Sequence, residues 1–256
     1  MVFQLERFKS MVVTLHTEIP TKPKSIAFDC YKTLFYNTEE SWIKFFEEII
    51  HKQKIPLNSE NFWKKWKKYE VDFRKNRTDL GRPYNSPKFK TYQEAWTDCF
   101  KKVFEDINFN GDHNEAGMMA SNHMSKKPIF DETLEVLKSL GENYKLGLFS
   151  NADHDWIIKL IKTHKIKFDF IASSELAQTY KPSLEAFEFL SKGLNEAKKN
   201  IWYVGDHLYD DVLGGFRAGM TTVWINRNNE KITREPKPNI EITSLKEISE
   251  IINHIS

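Results

Sequence analysis

The sequence predicts an α/β fold: a parallel sheet flanked by helices, with a helical segment inserted after the first strand of that sheet. Three observations carry this. From Pro128 onward, helical and strand patterns alternate, which is the signature of a parallel sheet wrapped by helices. The apolar run Ser25-Ile26-Ala27-Phe28 reads as a short buried strand well ahead of that alternation. Between the two, residues 37–127 keep a helical periodicity with brief interruptions. A chain of 256 residues is long enough to bury a substantial core and a second, smaller unit.

Taken in order, residues 1–24 read as an N-terminal extension. Its start is mildly amphipathic, but Glu6 and Glu18 interrupt it and no small-residue cleavage site follows an apolar core, so a signal peptide is not expected. After the strand at 25–28, helices are expected over residues 41–50, 61–73 and 91–104, with a break at Gly81-Arg82-Pro83-Tyr84-Asn85-Ser86-Pro87, which carries turn chemistry. In the second helix lysines alternate with aromatics from Trp63 to Lys68, a mixture that also suits single-stranded nucleic acid. Helical spacing explains it more simply, with Phe62, Trp66, Tyr69 and Phe73 on a buried face and the lysines solvated. The alternating half then reads as helix 131–140, strand 144–149, helix 153–163, strand 168–172, helix 183–193, strand 201–204, helix 208–218 and strand 221–225. A last short strand and helix fall within 239–254.

Composition excludes several classes. A net charge of +2 with evenly mixed signs gives no general attraction to nucleic acid or membrane, and no apolar run approaches the ~20 residues that cross a bilayer. The two cysteines, Cys30 and Cys99, are far apart and lack metal-ligand spacing. That usage suits a reducing cytosol, and the expected location is cytoplasmic. A small anionic molecule is the expected partner, with homodimerisation left open.

The chemistry-bearing residues stand at predicted strand ends, where ligands sit in open α/β sheets. Asp29 follows the apolar run and precedes Cys30-Tyr31-Lys32-Thr33-Leu34; a carboxylate there can act as a nucleophile or hold a cation. Ser150 and Asn151 lie at the next strand end, just before a helix whose exposed N–H groups favour an anion, although capping of that helix accounts for them equally well. Lys181, ahead of Pro182, is a point charge able to steady a carboxylate and a developing negative charge; a solvated lysine is the plainer alternative. Asp206 and Asp211, separated by a turn, can meet Asp29 above the sheet as a hard oxygen site for Mg²⁺. Without a cation, three converging carboxylates would raise at least one pKa. Asp210 reads as an exposed helix-start acid and His207 as a loop histidine.

The stretch FDCYKTL, residues 28–34, is similar to the first motif of the haloacid dehalogenase superfamily, hydrolases with an aspartyl nucleophile and a Rossmann-like core. Ser150, Lys181, and Gly205-Asp206 with Asp211 resemble the remaining three motifs, in the family's order. The wider stretches SNADHDW, SSELAQTYKP and TTVWINR look most like the type II 2-haloacid dehalogenases. The resemblance implies a core of residues 25–36 and 128–256 and a helical cap, 37–127, over the site. It also implies Asp29 as nucleophile, oriented with the substrate by Thr33, Ser150 and Lys181, and Tyr31 and Asn151 as substrate contacts.

Two chemistries compete. Superfamily phosphatases usually carry a second aspartate two positions after the nucleophile, to protonate the leaving alkoxide. Here Tyr31 stands there, and a phenol with an ordinary pKa of about 10 is a poor proton shuttle at neutral pH. A halide needs no proton, so this position favours carbon–halogen cleavage without metal. Against it, the dehalogenases resembled have a halide-receiving arginine in the cap where this chain has Lys64 and Lys65, with Arg74, Arg77 or Arg82 as nearby substitutes. They also carry a small neutral residue at Asp206. Asp206 with Asp211 looks like the Mg²⁺-binding form of the phosphatases, in which Asp29, the Tyr31 carbonyl, Asp206 and Asp211 would hold the ion. Lys32 replaces the family's usual glycine. A binding protein that has lost its acid/base is a third class, opposed by the joint retention of Asp29, Thr33, Ser150, Lys181 and Asp206.

Overall fold

The computed structural model describes residues 14–16 and 20–255. Its strands are β1 (Thr14–Leu15), β2 (Ser25–Phe28), β3 (Lys145–Ser150), β4 (Phe170–Ser173), β5 (Ile201–Gly205), β6 (Thr221–Ile225) and β7 (Ile240–Ile242). They form one sheet in the order β1-β7-β6-β5-β2-β3-β4, parallel throughout except for β1, which pairs antiparallel with β7. The chain first builds outward from β2 through β3 to β4, then crosses to β5 on the other side of β2. The carboxyl ends of β2 and β5 therefore border the crevice where the winding reverses, the place at which open α/β sheets bind ligands.

Alternate strand residues serve opposite faces, as the pleat requires. Ile26 and Phe28 join a core with Leu148, Val204 and the helices Thr133–Gly141 (α5), His154–Thr163 (α6) and Glu247–His254 (α10). Ala27, Phe149 and Tyr203 face the other way, onto Ser174–Ala177 (α7), Leu184–Leu194 (α8) and Gly214–Ala218 (α9). Among the described residues no helix is long and apolar enough to cross a membrane.

Between β2 and α5 run four helices, Glu39–Gln53 (α1), Ser59–Asn76 (α2), Tyr92–Asp106 (α3) and His113–Met124 (α4). Each starts on a side chain that accepts a backbone N–H: Thr38, Asn58, Thr91 and Asp112, with Thr91 and Glu94 forming a reciprocal capping box. In α1, Trp42, Phe45, Phe46 and Ile49 recur at helical spacing and are buried. Helices α3 and α4 approach closely at Gly117, where an added Cβ would lie 2.1 Å from Thr97 Oγ1.

The buried strip of α2 departs from the sequence expectation. Phe62 and Trp66 are buried, but Tyr69 and Phe73 are half-buried, and Trp63 and Glu70 take the inner places. The reason is that α2 packs on two neighbours: Trp63 stacks on Trp42 of α1 at 5.6 Å, and Phe62 stacks on Phe104 of α3 at 6.1 Å. Lys64, Lys65 and Lys68 are solvated, as expected. The single helix expected over 208–218 is instead a π-wound turn, Leu208–Leu213, followed by α9. Of the expected N-terminal extension, Thr14–Leu15 forms the sheet's edge strand; residues 1–13 and 17–19 lie outside the described residues.

Candidate functional site

The site is assembled from the chain segments that follow β2, β3, β4 and β5. Asp29 leaves β2 with its N–H still bonded to the Val204 carbonyl of β5 at 2.8 Å. The chain then turns sharply, Leu34 and Phe35 both returning their N–H groups to the Cys30 carbonyl. Lys32 takes the left-handed conformation here, φ 67°, which costs a non-glycine residue roughly 1–2 kcal/mol. That is the physical consequence of a lysine where the resemblance expects glycine.

Lys181 is the hub. Its side chain is 1% exposed, and Nζ donates to Asp29 Oδ1 at 2.6 Å, Asp211 Oδ1 at 2.7 Å, the Tyr203 hydroxyl at 2.8 Å and the Phe149 carbonyl at 3.1 Å. Burial alone would neutralise it, but Asp211 and Asp29 hold its pKa well above the ordinary lysine value. The solvated-lysine reading is excluded. Asp29, 7% exposed, also accepts from Ser150 Oγ at 3.2 Å. Burial raises its pKa to about 6, with Lys181 opposing the rise and Asp211 adding to it.

Ser150 and Asn151 do not cap the following helix, whose cap position is Asp153. Asn151 is bonded in both directions to the Lys181 main chain, Nδ2 to the carbonyl at 3.0 Å and Oδ1 from the N–H at 2.8 Å. It therefore holds Lys181 in place while lining the cavity beside it. Tyr31, which lines the same cavity, donates its phenol to the Met124 carbonyl at 3.3 Å, and burial raises its pKa well above 10.

Asp206 follows β5. Its carboxylate accepts from Thr33 Oγ1 at 3.4 Å, and its carbonyl accepts from Trp224 Nε1 at 2.8 Å. The preceding Gly205 leaves room for Asp211: a Cβ there would fall 2.3 Å from the Asp211 carboxyl carbon. One oxygen from each of Asp29, Asp206 and Asp211 lies within 4.8 Å of the others. Asp206 alone of the three is not bonded to Lys181, and its pKa is driven well above the carboxylate range by burial, then by Asp29 and Asp211. Three carboxylates against one ammonium leave two negative charges when all are ionised. An all-oxygen donor set with that deficit fits a hard divalent cation.

Above the carboxylates is a cavity of about 240 Å³. Its walls include Trp42, Trp63 and Trp66 from α1 and α2, Trp96 from α3 and Trp156 from α6. Lys67, Glu70 and Arg74, successive turns of α2, complete it. Of the cations suggested by sequence, Lys64 and Lys65 point to solvent, and Arg82 is exposed beside Asp79. Lys67, expected to be solvated with the other lysines of its run, is instead half-buried, donates to Glu70 at 2.6 Å and, like Arg74, reaches the cavity.

The expectation for Asp210 is overturned. It is buried, and Arg77 Nη2 lies 2.9 and 2.8 Å from its two oxygens, with Arg74 Nη2 at 3.5 Å. Burial would raise its pKa, but Arg77 holds it well below the carboxylate range. The partners lie far apart in sequence, so no local pattern could have shown the pair. Two further ties join α3 to the sheet side. Asp153 accepts from the N–H groups of Tyr92 at 2.6 Å and Gln93 at 2.8 Å, and the Tyr180 hydroxyl bonds the Lys90 carbonyl. His207 is a loop histidine, as expected, with Nδ1 accepting from the Asp210 N–H at 3.0 Å.

Comparison with known proteins agrees with this arrangement. The chain is similar to an (S)-2-haloacid dehalogenase of Pseudomonas putida, 22% identical over 229 residues, covering 88% of this chain and 95% of that protein. It is also similar to a pyrimidine 5'-nucleotidase of Escherichia coli (strain K12), 26% identical over 122 residues, covering 46% of this chain and 54% of the relative. The fold matches a crystal structure of a Bacillus subtilis HAD-hydrolase bound to magnesium with a TM-score of 0.74 at 19% identity, over 91% of this chain and all of that one. Residues 23–219 match the model of a hydrolase family, and the chain belongs to that family, the haloacid dehalogenase-like hydrolases.

Proposed function

We propose that the chain is an aspartyl-nucleophile hydrolase that cleaves the carbon–halogen bond of a small 2-haloacid. The observation that carries this reading is the fate of Tyr31. Two residues after Asp29, where a phosphatase needs an acid, its phenol is buried and bonded to the Met124 carbonyl. A departing alkoxide would find no proton there, whereas a halide needs none.

In this reading Lys181 and Ser150 fix Asp29 through Oδ1. The carboxylate attacks the carbon bearing the halogen, the halide leaves with the bonding pair, and an ester joins Asp29 to the substrate. Water then adds to the ester carbonyl, releasing the 2-hydroxyacid and a proton and restoring the carboxylate. Lys32, Arg74 and Lys67, the last bonded to Glu70 at 2.6 Å, are cations of the cavity wall that would meet the substrate carboxylate or the halide, and the tryptophan walls exclude water. Residues 37–127 act as a cap over a core of 25–36 and 128–256. Two buried free thiols, Cys30 and Cys99, suit the reducing cytoplasm.

Asp206 favours a second reading, a phosphatase of a small phosphorylated molecule. Asp29, Asp206, Asp211 and the Tyr31 carbonyl would hold Mg²⁺, which when bound neutralises the carboxylates and polarises phosphoryl oxygens. Asp29 would remain the nucleophile, with Lys181 balancing its charge.

A paired assay separates them, following halide from short 2-haloacids and phosphate from an aryl phosphate, each with Mg²⁺ and with EDTA. Halide release that persists in EDTA supports the first reading; phosphate release that EDTA abolishes replaces it with the second. Asp29→Asn should lower either turnover by about 10⁴-fold or more, as expected when a nucleophile is removed. Undiminished turnover in that variant would refute both.

A further inference from the structure

We propose that Arg77 is a positioning residue for the Lys181–Asp211 pair, acting from the helical insert through the residues next to each. The inference rests on the reading of Asp29 as nucleophile and holds for either leaving group. Arg77 follows the last turn of α2, and its side chain is 3% exposed. Its Nη2 lies 2.9 and 2.8 Å from the two oxygens of Asp210, the neighbour of Asp211. The same nitrogen is 3.4 Å from the Lys181 carbonyl, which Asn151 also engages at 3.0 Å. Its guanidinium carbon sits 5.2 Å from the centre of the Tyr180 ring, and Nη1 donates to the Tyr92 hydroxyl. One guanidinium thus touches the main chain of Lys181, the residue before it, and the residue before Asp211.

Stability is a poor reason for this arrangement. A fully buried ion pair repays its desolvation only when the geometry is excellent, and apolar residues of similar volume often serve as well or better. What an apolar filler cannot do is fix the loop after β5 against the loop before α8 at three points. Lysine cannot do it either, because the planar fork supplies both the bonds and the face that lies on Tyr180. The distances that matter chemically, 2.6 Å from Lys181 to Asp29 and 2.7 Å to Asp211, are set by where those two loops stand. A displacement of about 1 Å at such a site costs about 100-fold in rate.

The test compares wild type, Arg77→Met, Arg77→Lys and the solvent-exposed control Arg82→Met. Thermal midpoints, kcat and KM for whichever substrate the wild type turns over, and backbone amide exchange followed peptide by peptide are measured for each. For Arg77→Met the expected result is a kcat lower by about 100-fold with KM within about threefold. Amide exchange should be faster by about tenfold or more in peptides covering 178–183 and 206–212, and unchanged in 25–30. Arg77→Lys should recover the thermal midpoint but not kcat, which a merely structural cation would restore; Arg82→Met should match wild type throughout. Unchanged exchange in those two segments, or full kcat in Arg77→Lys, would overturn the proposal. If Arg77→Met does not fold, Arg77→Lys decides by the same two readouts. If wild type releases neither halide nor phosphate, the functional reading fails while the exchange data still decide whether Arg77 positions the loops.

Discussion

Among the described residues two lysines are almost wholly buried, Lys181 at the strand ends and Lys127 where the helical insert returns to the sheet, and their surroundings treat them oppositely. Lys181 has two carboxylates within 2.7 Å and stays charged. Lys127 has Ser41 Oγ at 2.8 Å, His123 Nε2 at 2.7 Å and the Trp42 ring at 5.0 Å. Among the described residues it makes no ion pair with a carboxylate, and burial lowers its pKa to about 7. His123 beside it is pushed down to about 3 by burial and by that lysine. Both lysines are nearly closed to solvent, Lys127 2% and Lys181 1% exposed; the partners decide the charge. At the strand ends charge is retained because it faces charge. At the junction it is suppressed, where Tyr36 donates to the Pro128 carbonyl and Phe35 bridges Ile129.

The contrast breaks most sharply in Lys181→Met. With the ammonium gone, Asp29, Asp206 and Asp211 face one another without the cation that bonds Asp29 and Asp211. Turnover should fall by about 10³-fold, in line with loss of a preorganised charge, and stability by about 3–5 kcal/mol in metal-free buffer. Steady-state kinetics and chemical denaturation check the two parts. If Mg²⁺ restores most of the lost stability, the carboxylates share the ion.

A smaller effect tests the same cluster by pH. Asp29 titrates near 6, above the ordinary carboxyl value, because burial disfavours its charged form more than Lys181 favours it. The carboxylate needed for attack is therefore lost as pH falls through about 6. In metal-free assays kcat/KM should drop about fivefold from pH 6 to pH 5, traced as the acid limb of the pH–rate profile. A limb near pH 4, the ordinary carboxyl value, would mean that Lys181 fully offsets burial.

The smallest effect belongs to the junction. Lys127→Met removes a buried amine that has no counter-charge and replaces it with an apolar chain of similar length. It should change stability by about 1 kcal/mol, in the stabilising direction at neutral pH. The sign of its pH dependence follows from a folded pKa near 7, below the unfolded value. Between the two the unfolded chain binds more protons, so wild-type stability rises with pH relative to the variant. The advantage of the variant should therefore shrink from pH 7 towards pH 10, measured as the difference in denaturation midpoints.

How much of this was legible depends on whether a residue's partner is local. Asp29, Ser150 and Asp206 follow apolar runs that register as strands, and a parallel sheet must bring such ends together, so their convergence could be read from order alone. Lys181 was legible only through resemblance, since no periodicity marks a loop lysine. Arg77 and Asp210 belong to elements with no sequence signal of contact, and an acid at a helix start has an adequate local explanation that was wrong. In α2 the helix itself was plain, but which stripe turned inward was fixed by two neighbours at once, α1 and α3, and so Trp63 and Glu70 were missed.

The two-residue strand β1 has a consequence for the solution behaviour of the protein. Without it, the outer edge of β7 would present unpaired backbone groups on Ile240–Ile242, a template for strand addition by another molecule. Antiparallel pairing of Thr14 with Glu241 and Leu15 with Ile240 blocks that edge, and His16 reinforces it by bonding the Glu241 carboxylate at 2.9 Å. A chain trimmed to begin at Ser25 would keep every residue of the site and lose its guard against edge-to-edge aggregation.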